Sequence, residues 1–332
     1  MLQAGSLFGQ TSAQLDSIVK VNSTMIYDQP LQVIERTQQV INHKTATDRT
    51  RINAYVLLSD AYSSLREYQK ALLALNEAEK LLVKTKHSKQ HVIVLVKTAI
   101  QYQQLKIFDK TIEYLNLAEK QIDHYPYPDS VASYLGSSNV VRGLIYKDKL
   151  NCDIAIAYLK KGISIYDQYP AANLRGNSSI AHYNIGNCYS ELEDYPQAIA
   201  HFQDAVDIAK SIQAKSLIAF AQKGLANVYT LQGKYHQAIE ELNKAATNAK
   251  DVGDKILNMT IERSLSENHL ALNNWTDYLQ YNNAYIKSNM EVKKAERFSI
   301  SNRISVVEEE QVERVNELEA YYRYTQIGRA HV

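Results

Sequence analysis

Helix breakers are scarce in this chain. Its 332 residues include 5 prolines and 11 glycines, a composition that suits long helices with short connections. There are two cysteines, Cys152 and Cys188. Neither lies in a CxxC pair or beside other ligand types, so both read as small buried hydrophobes and not as a disulfide framework or a zinc site. An excess of either charge is also missing. Lys and Arg number 37 against 36 Asp and Glu, a net charge of +1. That balance argues against a nucleic-acid or membrane-surface protein, both of which use a clustered basic excess. No apolar run approaches the roughly 20 residues that a membrane-spanning helix needs.

Enzyme signatures are missing as well. The sequence has no GxGxxG after a strand, no P-loop, no HExxH and no GxSxG, so no catalytic, cofactor-binding or metal-ligating residue is assigned. His87 and His91 stand at i,i+4 without a third ligand and read as chance. His182, His201 and His236 read as surface or groove residues. Glu191 and Glu193 read as hairpin-turn charges.

Two classes are abundant. Hydrophobic residues make up 45% of the chain, enough for a large core and too many for a disordered one. Tyrosine numbers 24, and its spacing is periodic. One unit reads Gly186, Tyr189, Tyr195, Ala198, Phe202, Ala205. The same small-x-x-Tyr, aromatic, Ala, large, Ala spacing recurs as Ser59, Tyr62, Tyr68, Ala71, Leu75, Ala78. It recurs again as Ala99, Tyr102, Phe108, Thr111, Leu115, Ala118, and as Gly143, Tyr146, Cys152, Ala155, Leu159, Gly162. A fifth copy is Ala226, Tyr229, Tyr235, Ala238, Leu242, Ala245. A degenerate sixth runs Ser266, His269, Trp275, Tyr278, Asn282, Tyr285, and Tyr27, Pro30, Ile34 and Thr37 fit the second helix of a partial leading repeat.

This spacing resembles the tetratricopeptide-repeat (TPR) family, and the resemblance covers roughly residues 15–289. It implies an all-α fold, an α-α superhelix or solenoid of helical hairpins. Small residues sit where helices cross, and large ones fill the gaps between crossings. The repeated tyrosines 62, 102, 146, 189 and 229 stand 40 to 44 residues apart, beyond the minimal period of about 34. The excess resembles the long-period class that includes kinesin light chains and many bacterial signalling proteins, which generally bind peptides or partner domains.

The ends carry separate expectations. Residues 1–12 resemble a truncated signal-peptide remnant of the kind found in Bacteroidetes-type bacteria, with cleavage near Gln10; an ordinary frayed N-terminus is the alternative. Residues 13–289 form the solenoid: a partial repeat, five clear repeats and a capping repeat. Residues 290–326 read as a charged connector or coiled-coil helix, with Ile300, Ile304, Val307, Val315, Leu318 and Tyr322 at steps of three and four broken by one longer stagger. The final six, Ile327 to Val332, match the translation of a common sequencing-library adapter and are set aside.

In the TPR family the concave groove is lined mainly by the first helix of each hairpin. Carried onto this chain, that places Tyr183, Asn187, Phe220, Lys223, Asn227 and Arg263 in the groove, with Asn53, Val56, Asp60, Val96, Gln103, Val140 and Lys147 along it. Lys223, Asn227 and Arg263 partly resemble the clamps that hold a peptide's C-terminal carboxylate, although Glu267 stands where a second cation would be. The expected partner is a protein or peptide in this groove, with no cofactor and no nucleic acid. Homodimerisation through 290–326 is possible on this pattern, and a membrane enters only through a segment beyond Gln326. The order of parts resembles the sensor or regulatory region of a bacterial signalling protein ending in a histidine kinase or a helix-turn-helix regulator, periplasmic or membrane-tethered. A free-standing cytoplasmic scaffold is the alternative.

Overall fold

A computed structural model describes residues 10–293, except 24, 27–28, 84–87, 123–127, 170–171, 251 and 253. The remnant over 1–9, Tyr27, His87, the connector beyond residue 293 and the six-residue tail lie outside the described residues.

Every regular element described is helical. In chain order they are α1 (Ser12–Ser23), α2 (Pro30–Ile41), α3 (Asp48–Ser64), α4 (Tyr68–Val83), α5 (Ser88–Gln104), α6 (Phe108–Ile122) and α7 (Pro128–Asp148). Then follow α8 (Cys152–Asp167), α9 (Ala172–Glu191), α10 (Tyr195–Ser211), α11 (Lys215–Leu231), α12 (Tyr235–Ala249) and α13 (Lys255–Ala271). Residues 275–293 are helical too. None of the described helices is long and apolar enough to cross a membrane.

The helices pair as hairpins, α3 with α4 through α11 with α12, and each hairpin stacks on the next. The turn inside each hairpin follows one pattern. After α3, the Arg66 N–H bonds Ser63 O and the Glu67 N–H bonds Tyr62 O, which satisfies two of the four carbonyls a helix end leaves free. The same pair of bonds closes on the carbonyls of Tyr102, Tyr146, Tyr189, Tyr229 and His269. The repeated residue therefore marks the third residue from the helix end. This closure needs one residue in the left-handed region, and Arg66, Lys106, Leu150, Glu193, Gly233 and Asn273 supply it with φ of 57° to 72°. Where the next helix begins, Asn151 and Asp194 cap it by accepting from the N–H groups of Ile154 and Gln197.

Packing between hairpins rests on close approach. Ala71, Ala198 and Ala238 are fully buried, and Phe202 is 1% exposed. The Phe202 ring lies between two glycines. A Cβ built on Gly186 would stand 2.9 Å from it, and one on Gly224 would stand 2.3 Å away. One second-helix side chain thus locks the first helix of its own repeat and that of the following one. Gly143 meets Leu159 in the same way at 2.7 Å. Aromatic pairs add to the hairpin contact beside these small residues: Tyr102 on Tyr114 at 5.4 Å and Tyr146 on Tyr158 at 5.5 Å.

Two outcomes follow from this packing. Gly224→Ala forces a methyl against a ring that cannot retreat and is expected to cost about 1–3 kcal/mol. Gly176→Ala, with its nearest neighbour at 3.7 Å, is expected to gain about 0.5–1 kcal/mol from helix propensity alone. Urea midpoints moving the same way for both would contradict the wedge. Leu150, 84% exposed at φ 57°, holds a left-handed position with no packing in return. Leu150→Gly is expected to raise the thermal midpoint, by about 0.5–1 kcal/mol of stability.

Candidate functional site

The first helices approach one another across repeats, α3 to α5, α5 to α7, α7 to α9, α9 to α11 and α11 to α13. No such approach joins α4, α6, α8, α10 and α12 among the described residues. The first helices therefore line the inner, tighter face.

Polar side chains stitch that face, three of the bonds at a sequence separation of 37. Lys97 Nζ donates to Asp60 Oδ1 at 2.6 Å, 37 residues back. Lys147 Nζ donates to Asn184 Oδ1 at 3.0 Å, 37 residues on, and Ser264 Oγ donates to Asn227 Oδ1 at 3.5 Å, again 37 residues apart. Asn268 and Thr230 join α13 to α11 at 2.9 Å. Between α5 and α7, Gln103 Nε2 donates to Asp148 Oδ2 at 3.0 Å, and Lys106 pairs with the same carboxylate. At the α9–α11 junction the link at this register is aromatic: Tyr183 meets Phe220 edge-on, ring centroids 6.1 Å apart.

Two of the six predicted groove residues make that aromatic contact, and three more, Asn187, Lys223 and Asn227, lie one or two turns along the same helices. Tyr183 also packs on Phe202 at 5.8 Å. Burial pushes its phenol above the ordinary value, while a hydrogen bond from Asn187, one turn along α9, draws it down. Lys223 is half-buried on α11. Burial lowers its ammonium pKa first, Glu267 raises it and Arg263 lowers it further. It makes no ion pair with any described residue. Asn227 follows one turn later with Ser264 on its oxygen. Arg263 stands apart: it is exposed, and its Nε donates to Glu267 Oε1 at 2.8 Å within α13. The carboxylate that seemed to spoil the clamp thus engages its arginine directly, leaving Lys223 as the cation of the central group.

Other groove positions sort differently. Val96 and Val140, 3% and 7% exposed, are core residues. A first helix touches its own partner and both neighbouring repeats, so little of its circumference stays open. Asn53, Val56 and Asp60 line a cleft of about 360 Å³ between α1 and α3, together with Asp16, Lys20 and Arg49. His236 is exposed, as read, and His182 and His201 are the clearest departure. His182 and His201 face each other within one hairpin, Nδ1 to Nδ1 3.1 Å, with Asp204 Oδ2 3.3 Å from His182 Nδ1. Their separation in sequence carried no spacing signal that could have found them. Cys152 and Cys188 are both free and buried. The Cys152 thiol donates to Glu191 Oε2 at 3.2 Å. Burial, then Cys188 and Glu191, pushes it far above the ordinary thiol range, and burial raises Cys188 too.

Comparison with known proteins supplies the context. Tetratricopeptide-repeat sequence models match residues 134–211, and also 52–81 and 224–251. Regulatory protein RapK of Bacillus subtilis (strain 168) is 27% identical over 201 residues, 56% of this chain and 52% of RapK. The chain thus spans about half the length of that relative. Among solved structures, NprR in complex with its cognate peptide NprX superposes with a TM-score of 0.61 at 14% identity, over 87% of this chain and 83% of that one. A Rap protein complexed with competence and sporulation factor gives 0.56 at 14% identity, over 85% of this chain and 99% of that one. At these identities the structures establish the shared fold.

The buried thiols yield a direct expectation. Because the thiolate is the reactive form and both thiols are held protonated, neither cysteine should react with Ellman's reagent at mildly alkaline pH in the native chain. Both should react on unfolding in guanidinium. Rapid labelling of the native chain would overturn the burial.

Proposed function

The chain is a tetratricopeptide-repeat protein, and we propose that the inner face around Tyr183 and Phe220 binds a short extended peptide as the regulatory input of a signalling protein. The observation that carries this reading is the break in the inner ladder. At the other first-helix junctions, polar side chains satisfy one another across the repeat boundary. At α9–α11 two half-buried rings meet instead, and the same helices carry Asn187, Asn227 and a half-buried lysine that has no partner of opposite charge within ion-pair distance among the described residues.

Each group has a distinct part in such binding. The rings take an apolar peptide side chain, since aromatic anchors give contact area at low entropic cost. The Asn amides can both donate to and accept from an extended backbone, which holds a peptide irrespective of its side chains. Lys223 meets a carboxylate, whose arrival restores the charge that burial disfavours. Arg263, tied to Glu267, takes no part in the first contact. The structures of NprR with its cognate peptide and of a Rap protein with competence and sporulation factor share this fold, and the name of RapK points to regulation. Both support the proposal. The output that the peptide controls, a histidine kinase or a helix-turn-helix module, belongs to the same proposal.

The test is an array of short random peptides, some ending in a free carboxylate and some amidated, probed with the labelled chain. Binding is expected to favour apolar residues near a free carboxylate. Lys223→Ala should weaken the strongest peptides about tenfold or more, as loss of a charge-assisted bond does. Asn227→Ala should weaken carboxylate and amidated peptides alike. Peptides that bind both variants as well as the native chain would place the site elsewhere.

A further inference from the structure

We propose that His182, His201 and Asp204 form a binding site for a divalent transition-metal ion of zinc's class. The three residues belong to one hairpin, His182 on α9 and His201 and Asp204 one turn apart on α10. Their ligand atoms lie within 4.8 Å of one another. The two edges measured from His182 Nδ1 are 3.1 Å to His201 Nδ1 and 3.3 Å to Asp204 Oδ2. A tetrahedral ion with bonds of about 2.0–2.1 Å needs donor–donor edges of about 3.4 Å. The two short edges therefore approach the spacing of one face of that tetrahedron, and small side-chain rotations would close the third.

The donors suit the ion. Two imidazoles and a carboxylate are a nitrogen-rich, borderline set, which selects zinc, copper or nickel over calcium or magnesium. In the metal-free chain the two Nδ1 atoms share one proton, so one ring must carry its hydrogen there. Coordination moves that hydrogen to Nε2 and leaves both Nδ1 lone pairs to the ion, with Asp204 as the anionic third ligand. Burial holds both imidazoles below the ordinary histidine pKa, which keeps them neutral near pH 7. Asp167 adds negative field at His182, and Lys160, bonded to the Tyr189 hydroxyl at 3.1 Å, adds positive field at His201.

The repeat itself does not call for these residues. The place of His201 against the motif aromatic is filled by Tyr114, Tyr158 and Tyr281 in other repeats, each stacked at 5.4–5.5 Å. His201 keeps that stack on Tyr189 at 5.6 Å while adding a nitrogen donor. In the register of His182 stand Leu95 and Asn139, and in that of Asp204 stands Lys161. All three donors coincide in this hairpin, with His182 next to Tyr183 in sequence.

The repeat also supplies the variant that tests the site without risk to the fold. His201→Tyr restores the stack used elsewhere and removes one ligand. Isothermal titration of the chelator-treated chain with zinc chloride is expected to give one saturable equivalent. His201→Tyr should weaken it at least tenfold with an unchanged helical circular-dichroism spectrum, and Asp204→Asn should weaken it as well. No saturable zinc binding, or equal affinity in His201→Tyr through some other histidine, would overturn the proposal.

Discussion

The structure depends on how closely a first helix can approach the second helix packed against it. At the centre of the solenoid this is set by one ring, Phe202, held between Gly186 and Gly224. Neither glycine is present for backbone freedom, since both lie inside helices; each is there because any side chain would collide. The ring measures the distance between α9 and α11, and through it the pitch of the stack. Burying such a side chain contributes about 1.5–3 kcal/mol, and because it touches two repeats at once it couples their folding. That is why the hairpins are stable only as a stack.

A fixed pitch has an electrostatic consequence. Once the first helices lie at one spacing, residues 37 apart face each other along the inner wall, and the chain places complementary polar groups there: Lys97 with Asp60, Lys147 with Asn184, Asn227 with Ser264. Partly buried bonds of this kind are worth about 0.5–1.5 kcal/mol each when made and cost more when broken. They occupy the groups that would otherwise seek a ligand. On the proposed reading, selectivity along the wall comes from the place where the pattern lapses, at Tyr183 and Phe220, where two half-buried rings and a half-buried cation lie on neighbouring first helices.

Much of this was legible in the sequence, and the reason is periodicity. Small residues at crossings and tyrosines at the ends of first helices repeat in register, so Gly186, Tyr189 and Phe202 could be placed in their hairpin from spacing alone. The groove was legible in part. Carrying the family's first-helix geometry onto the chain proposed Tyr183, Asn187, Phe220, Lys223 and Asn227, but also drew in Val96 and Val140, which pack into the core. A helix buried on several sides shows weak amphipathicity, so its sequence does not say which side stays open. Pairing was not legible where it departs from the repeat. Nothing in a run of residues says that Glu267 will hold Arg263, or that His182 will meet His201, at a position where three other repeats carry tyrosine.

Among the described residues, the ion pair that spans most of the sequence shows which forces shape the molecule. Arg66, in the turn after α3, reaches Asp254, 188 residues on, with Nη2 to Oδ2 at 3.1 Å. It would be natural to credit this ion pair with holding the curve of the stack. The magnitudes say otherwise. The Arg66 side chain is 42% exposed, and such pairs contribute about 0–1 kcal/mol, less than one ring wedged between helices. Asp254 is also committed locally, its Oδ1 accepting from the Ile256 and Leu257 N–H groups to cap α13, which alone is worth about 1 kcal/mol. The carboxylate is therefore where it is because the helix starts there, and Arg66 meets it because side-chain packing has already brought the two turns together. Curvature is a sum over hairpin junctions, and the ion pair reports the total without setting it. A ligand that altered the spacing of α9 and α11 would act on one of those junctions directly and would be opposed at the far contact by an interaction weak enough to yield.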